Sequence, residues 1–276
     1  MKLALNGATT MRADLATDIR AARIAGFPFL EIWAAKLRQY LKTKSVAELK
    51  HAFDVSDVKP LSINSIEHIT FRNSDEYFRI KEQCEELSTI AGELGCPYVV
   101  VVPGKLPQPT PNRQQIIEQS REVLEELATI AERHGVALGF EFLGQTDCSV
   151  QTVELASEIV RQVNRNNVGL VIDSFHFYAG GSTIESLNAL NPEKLFIFHI
   201  NDAEDLPREQ LEDSHRLLPG LGILPLKEMI KAFQSIGYDR VASVEIFRPE
   251  YWEQDPIELA KDARAALEKL FGDAAM

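Results

Sequence analysis

Two kinds of segment alternate along the chain. Short, nearly continuous apolar runs bounded by polar or turn residues predict strands buried on both faces, and longer stretches with apolar positions at helical spacing predict helices between them. KLALNGATT (2–10), PFLEIWA (28–34), KPLSINSI (59–66) and CPYVVVVPG (96–104) are the first four strand-like runs. VALGFEFLG (136–144), VGLVIDSFHF (168–177), KLFIFHIND (194–202) and RVASVEIFRPE (240–250) are the last four. The spacing predicts helices over about Asp14 to Ala25, Val46 to Phe53, Asp75 to Leu94, Arg113 to His134, Val150 to Val163, Ile184 to Leu190, Leu224 to Ile236 and Ile257 to Phe271. Gly95, Gly135 and Gly237 supply stop signals, and Pro256 suits a first turn.

Such alternation predicts a parallel sheet with helical crossovers, which is either a doubly wound open sheet or a closed barrel. The polar exceptions decide between them. Glu141, Asp173, His199 and Glu245 each stand late in an otherwise apolar strand. In a (β/α)8 TIM barrel those four strand ends converge on the C-terminal face, where such barrels hold their active sites. An open sheet would not gather them around one centre. The expectation is α/β, with one TIM barrel domain spanning residues 1–276 and no linker dividing the chain.

Composition narrows the function. The formal net charge of -12, from 41 acidic and 29 basic residues, opposes attraction to a phosphate backbone. No stretch approaches a membrane span and the N-terminus lacks a secretory pattern, so a cytoplasmic protein with no membrane partner is expected. Cys84, Cys96 and Cys148 show no metal or redox spacing and are expected to be free thiols.

Three carboxylates and one imidazole form an oxygen-rich ligand set. That set suits one divalent ion such as Mn, Mg or Co and tolerates Zn. Taken singly, each acidic residue could cap a helix or pair with an arginine. Four at equivalent strand ends would repel one another without a cation to compensate them. Asp202, just past His199, is also of ligand type.

The chain resembles the xylose-isomerase-like family of divalent-metal barrels, and within it the inosose (2-keto-myo-inositol) isomerases. The resemblance rests on KLALNGATT, on EF-G after Glu141, on NRNNVGLVIDSFHF, on SxIESL, on IFHINDAED, on the LPGLG turn and on SVEIFRPEYW. It implies that Glu141, Asp173, His199 and Glu245 bind the metal. It further implies that Glu141 and Glu245 act as base and acid in a proton transfer between adjacent carbons of a cyclitol ketone, through a metal-stabilised enediolate. His176 and Arg216 are the implied substrate contacts, beside the ordinary readings of a packed loop histidine and a solvated loop arginine.

Three rivals remain: a ketose 3-epimerase or other sugar isomerase on the same site, an abasic-site endonuclease, and a noncatalytic sugar-binding protein. The endonucleases need further histidines on the third and fourth strands, where this chain has Asn64 and Val102. Retention of both carboxylates exceeds what binding alone requires. Trp33, Tyr251 and Trp252 could wall an apolar ring face. The loop Pro107 to Asn112, with Tyr251 and Trp252, offers candidate homo-oligomer contacts. Glu31, His51, His68, His134 and His215 carry no assigned role.

Overall fold

The computed structural model of the chain describes residues 1–274. Eight parallel strands close on themselves: β1 (Lys2–Asn6), β2 (Phe29–Trp33), β3 (Lys59–Ile66), β4 (Tyr98–Val101), β5 (Ala137–Glu141), β6 (Val168–Asp173), β7 (Leu195–Ile200) and β8 (Val241–Val244). Each pairs with its successor, and β8 returns to β1. Every residue of β6 and β7 is buried, because helices cover the outside of the sheet while side chains fill the inside. The barrel expectation is met.

Closure places the site. Asp173 sits opposite His199 in the β6–β7 register, Ser243 of β8 opposes His199 from the other side, and Asn6 of β1 opposes Glu31 of β2. The helices are started by side-chain caps. Asp14 accepts from Thr17 N, and Ser45 with Glu48, Asn73 with Glu76, and Asn112 with Gln115 form reciprocal capping boxes. Among the described residues no helix is long and apolar enough to cross a membrane.

The elements differ from the sequence pattern in three informative places. An extra helix, Ala34–Leu41, follows β2 directly, before the expected one at Val46–Ser56. The run VGLVIDSFHF is not all strand: β6 ends at Asp173, whose carboxylate accepts from His176 N and caps the short helix Ser174–Ala179. His176 therefore lies on a helical turn rather than in a loop. The helix expected from Val150 starts at Val153, where Thr152 caps it.

Above the rim, Asp202–Ala203 pairs antiparallel with Arg216–Leu217. Asp202 is 1% exposed and serves this ribbon: Oδ1 accepts from Ala203 N at 3.0 Å and Leu224 N at 2.9 Å, and Oδ2 from Gly220 N at 3.0 Å. A Cβ at Gly222 would meet Ala203 O at 2.0 Å, so the glycine-rich turn can lie against the ribbon only without a side chain there.

Candidate metal centre

Glu141 closes β5, Asp173 closes β6, His199 is the penultimate residue of β7 and Glu245 follows β8. All four are buried, and one ligand atom from each lies within 4.8 Å of the others. His199 Nδ1 is 2.8 Å from Glu141 Oε1 and 3.3 Å from Glu245 Oε2. On the opposite edge of the ring, Nε2 is 3.0 Å from Glu31 Oε1 but has no well-aligned hydrogen bond. The four residues singled out from the sequence are thus brought together, whereas Asp202 is occupied elsewhere.

Hydrogen bonds distinguish the two glutamates. Glu245 Oε1 accepts from Asn6 Nδ2 at 3.0 Å and Asn64 Nδ2 at 2.8 Å, and its Oε2 lies 3.2 Å from Arg216 Nη1. Burial would raise this carboxyl, but His199 and Arg216 outweigh it and hold Glu245 below the ordinary range. Glu141 has His199 as its hydrogen-bonded partner, and burial pushes it up to about 7 against the pull of the imidazole. His199 is raised well above the usual imidazole value, because Glu245, Glu31 and Glu141 overcome the cost of its burial.

Of the two readings of Arg216, substrate contact and solvated loop residue, the second fails. The residue is 1% exposed rather than solvated. Nη1 donates to Asp173 Oδ2 at 2.9 Å, Nη2 to Asp213 Oδ1 at 2.8 Å, and Nε to the same oxygen at 3.1 Å. The guanidinium lies 4.9 Å from the Phe175 ring centroid and 5.0 Å from that of Phe247. Its Nη2 is also 3.1 Å from His176 Nε2. Since a guanidinium can only donate, Nε2 must accept, which puts the His176 proton on Nδ1. Among the described residues that Nδ1 has no partner, and burial lowers the pKa of the ring, in keeping with a neutral imidazole.

The donor set fits a divalent cation. Four buried carboxyl groups, those of Glu31, Glu141, Asp173 and Glu245, face one buried guanidinium and one imidazole. Such an excess of negative charge in a dry site calls for a further cation. Oxygen donors with one imidazole suit Mn, Co, Mg or Zn.

A cavity of about 390 Å³ opens over the cluster, a size suited to a small molecule. Glu141, His176, Arg216 and Glu245 line it, and Trp33 with Phe247 makes an edge-to-face aromatic wall at 5.6 Å. Trp252 instead donates its Nε1–H to Ala8 O, and Tyr251 lies under Arg248. His215 accepts from Glu212 N within its own turn, and His134 pairs with Glu85. His68 also lines the cavity. It holds a left-handed φ of 56° with its Nδ1 buried and unpartnered, and nothing in the sequence signals such a backbone. Its loop is clamped to the end of β4 by Ile69 N to Val102 O and by Gly104 N to Thr70 Oγ1. Asn64 serves Glu245, and Val102 is apolar and buried, so neither adds a metal ligand.

The profile of the family described as xylose isomerase-like TIM barrel matches residues 19–270. An inosose isomerase of Bacillus velezensis is 41% identical over 272 residues, covering 97% of this chain and 96% of that protein. An inosose isomerase of Bacillus subtilis is 41% identical over 268 residues, covering 95% of each. Among solved structures, the IOLI protein with a bound zinc atom superposes with a TM-score of 0.92 at 39% identity, covering 99% of this chain and 98% of that one.

Proposed function

Because the chain belongs to the xylose isomerase-like TIM barrel family, we propose that it is a divalent-metal-dependent isomerase of an inosose, moving a proton between adjacent carbons of the cyclitol ketone. The observation that carries this reading is the buried convergence of Glu141, Asp173, His199 and Glu245, in a chain alike over nearly its whole length to inosose isomerases. One divalent ion is the cofactor, held by those four residues. When bound, it supplies the positive charge that stabilises the oxyanion developing as a carbon acid next to a carbonyl is deprotonated.

The protein's own side chains do the rest. Glu141 and Glu245 come from β5 and β8 and both line the cavity, and in this reading each faces one of two neighbouring substrate carbons. The reaction is reversible, and each glutamate is base in one direction and acid in the other. Asn6, Asn64 and Arg216 fix the Glu245 carboxylate. His176, which lines the cavity and accepts from Arg216 at Nε2, is the first substrate contact in this reading. Arg216, assigned as the second substrate contact, reaches the ligand mainly by holding Asp173 and His176, since its donors already have partners. Trp33 and Phe247 cover the ring face.

Residues 1–276 act as one domain in this reading, in the cytoplasm, on a small molecule rather than on nucleic acid, in keeping with the acidic charge. The test is exchange of carbon-bound hydrogen with deuterated water across a panel of inososes and ketoses. Turnover of an inosose is expected, with Glu141→Gln and Glu245→Gln each slower by roughly two or more orders of magnitude, as for a lost general acid or base. Silence across the panel with metal present would remove the isomerase reading, and exchange confined to ketohexoses would favour an epimerase.

A further inference from the structure

Glu31 lies on β2, is fully buried and has no place in the four-residue ligand cluster. It does not line the cavity either, so substrate contact does not account for it. A carboxylate in the dry interior of a barrel is costly unless hydrogen bonds and charge compensate it. Here the compensation is specific. Ser62 Oγ donates to Oε2, Asn6 Nδ2 donates to Oε1 at 3.2 Å, and His199 Nε2 lies 3.0 Å from Oε1. The His199 ring therefore stands between Glu31 at one nitrogen and the Glu141 and Glu245 carboxylates at the other.

An imidazole that ligates a metal must offer a lone pair from one nitrogen and carries its proton on the other. Two orientations of His199 satisfy that requirement in isolation. Both Glu31 oxygens are already acceptors, Oε1 from Asn6 and Oε2 from Ser62, so the nitrogen 3.0 Å from Oε1 is the one that carries the proton. From this we infer that Glu31 is a positioning residue for the metal centre: it holds the His199 proton on Nε2 and thereby aims the Nδ1 lone pair at the space enclosed by Glu141, Asp173 and Glu245. Ser62 and Asn6 keep the Glu31 carboxylate itself from turning. Asn6 also donates to Glu245 Oε1, which ties the setting of His199 to the placement of a second ligand. The inference rests on the metal reading above and extends it to the layer of the barrel beneath the ligands.

Zinc serves as the probe, since a direct readout of His199 is required. The full-length parent, Glu31→Gln and the milder Ser62→Ala are compared in two measurements. Competition with a chromophoric chelator gives zinc affinity, and long-range ¹H–¹⁵N correlation of the zinc-loaded, ¹⁵N-histidine-labelled proteins gives the His199 tautomer. The parent is expected to show a protonated Nε2 and a metal-shifted Nδ1. Glu31→Gln should lose about 10–100-fold in zinc affinity and show a changed or averaged His199 pattern, with Ser62→Ala in between. Should Glu31→Gln fail to fold, an unaltered affinity and His199 pattern in Ser62→Ala overturns the inference, and weakened affinity with averaging supports it. A Glu31→Gln protein that binds zinc within about twofold of the parent with the same tautomer overturns the inference while leaving the metal reading intact. A parent whose His199 nitrogens do not respond to zinc overturns the metal reading and this inference with it.

Discussion

Arg216→Met isolates the role of the buried guanidinium in the site. Methionine keeps an unbranched stem between Phe175 and Phe247 but removes the charge from beside Asp173, Glu245, Asp213 and His176. Asp213 is 41% exposed and can turn to water, so its share is small. Asp173 and Glu245 are dry and cannot. Removing one partner from such a buried pair costs about 3–5 kcal/mol in the metal-free protein. With metal bound, the ion compensates Asp173 and Glu245, and the remaining loss is that of the other hydrogen bonds, about 1–2 kcal/mol. Closing the cycle, the variant should bind metal more tightly by about 2 kcal/mol, or roughly 30-fold. Urea unfolding with chelator and with saturating Mn²⁺ measures both arms. Arg216→Lys should fall between, because one ammonium cannot reach the Asp173 and Asp213 sides together. Equal losses in both states, or weaker metal binding, would refute the reasoning.

Exhaustive chelation should abolish turnover and lower the thermal midpoint, with both restored by one equivalent of divalent ion per chain; activity indifferent to chelation would remove the metal from the reaction. Lys36 is buried, with Nζ bound to both oxygens of Asp18 and to the carbonyls of Gly7 and Thr10. Lys36→Met should cost about 3–5 kcal/mol in urea unfolding, and a loss below about 1 would show that the pair is dispensable. Burial pushes Asp18 up to about 6 against the pull of Lys36, with Asp14 adding to the rise. Its folded value exceeds the unfolded one, so its contribution to stability is complete below the ordinary aspartate value of 3.8 and is lost as pH rises through about 6. Carbon-13 titration of Asp18 should show that midpoint, and one at or below 3.8 would contradict it. His68→Asn tolerates the left-handed backbone and removes the imidazole from the cavity. Because His68 lines the cavity, steady-state kinetics should show KM up by about tenfold with kcat within about twofold, one hydrogen bond's worth of uniform binding, and an unchanged KM would exclude a substrate contact at His68.

The barrel and the cluster of Glu141, Asp173, His199 and Glu245 were legible because strands buried on both faces leave little room for unexplained polar residues. A charge late in such a run stands out, as Asp173 does after five apolar or small residues in VGLVID. What was hidden depends on partners distant in sequence. Arg216 reads as a polar loop residue until Asp173, Phe175 and Phe247 close around it. Glu31 acquires meaning only beside His199, 168 positions later, when the barrel closes. The helix Ser174–Ala179 was masked because SFHFYA continues the apolar run of β6, and short apolar runs carry no usable period. The helix Ala34–Leu41 follows its strand without a turn signal.

The turn around Gly220 illustrates how a loop without regular structure can behave like a strand in time. Its Gly220 and Leu224 amides end on the Asp202 carboxylate, and Asp202 itself sits at the mouth of β7, two residues beyond the barrel. Those two amide protons can exchange with solvent only when Asp202 lets go, which requires the rim ribbon to part as well. Slow deuteration is therefore expected there, in a stretch whose glycine content would suggest the opposite. The turn that follows Arg216 therefore opens together with the barrel end, and not as a free lid over the cavity.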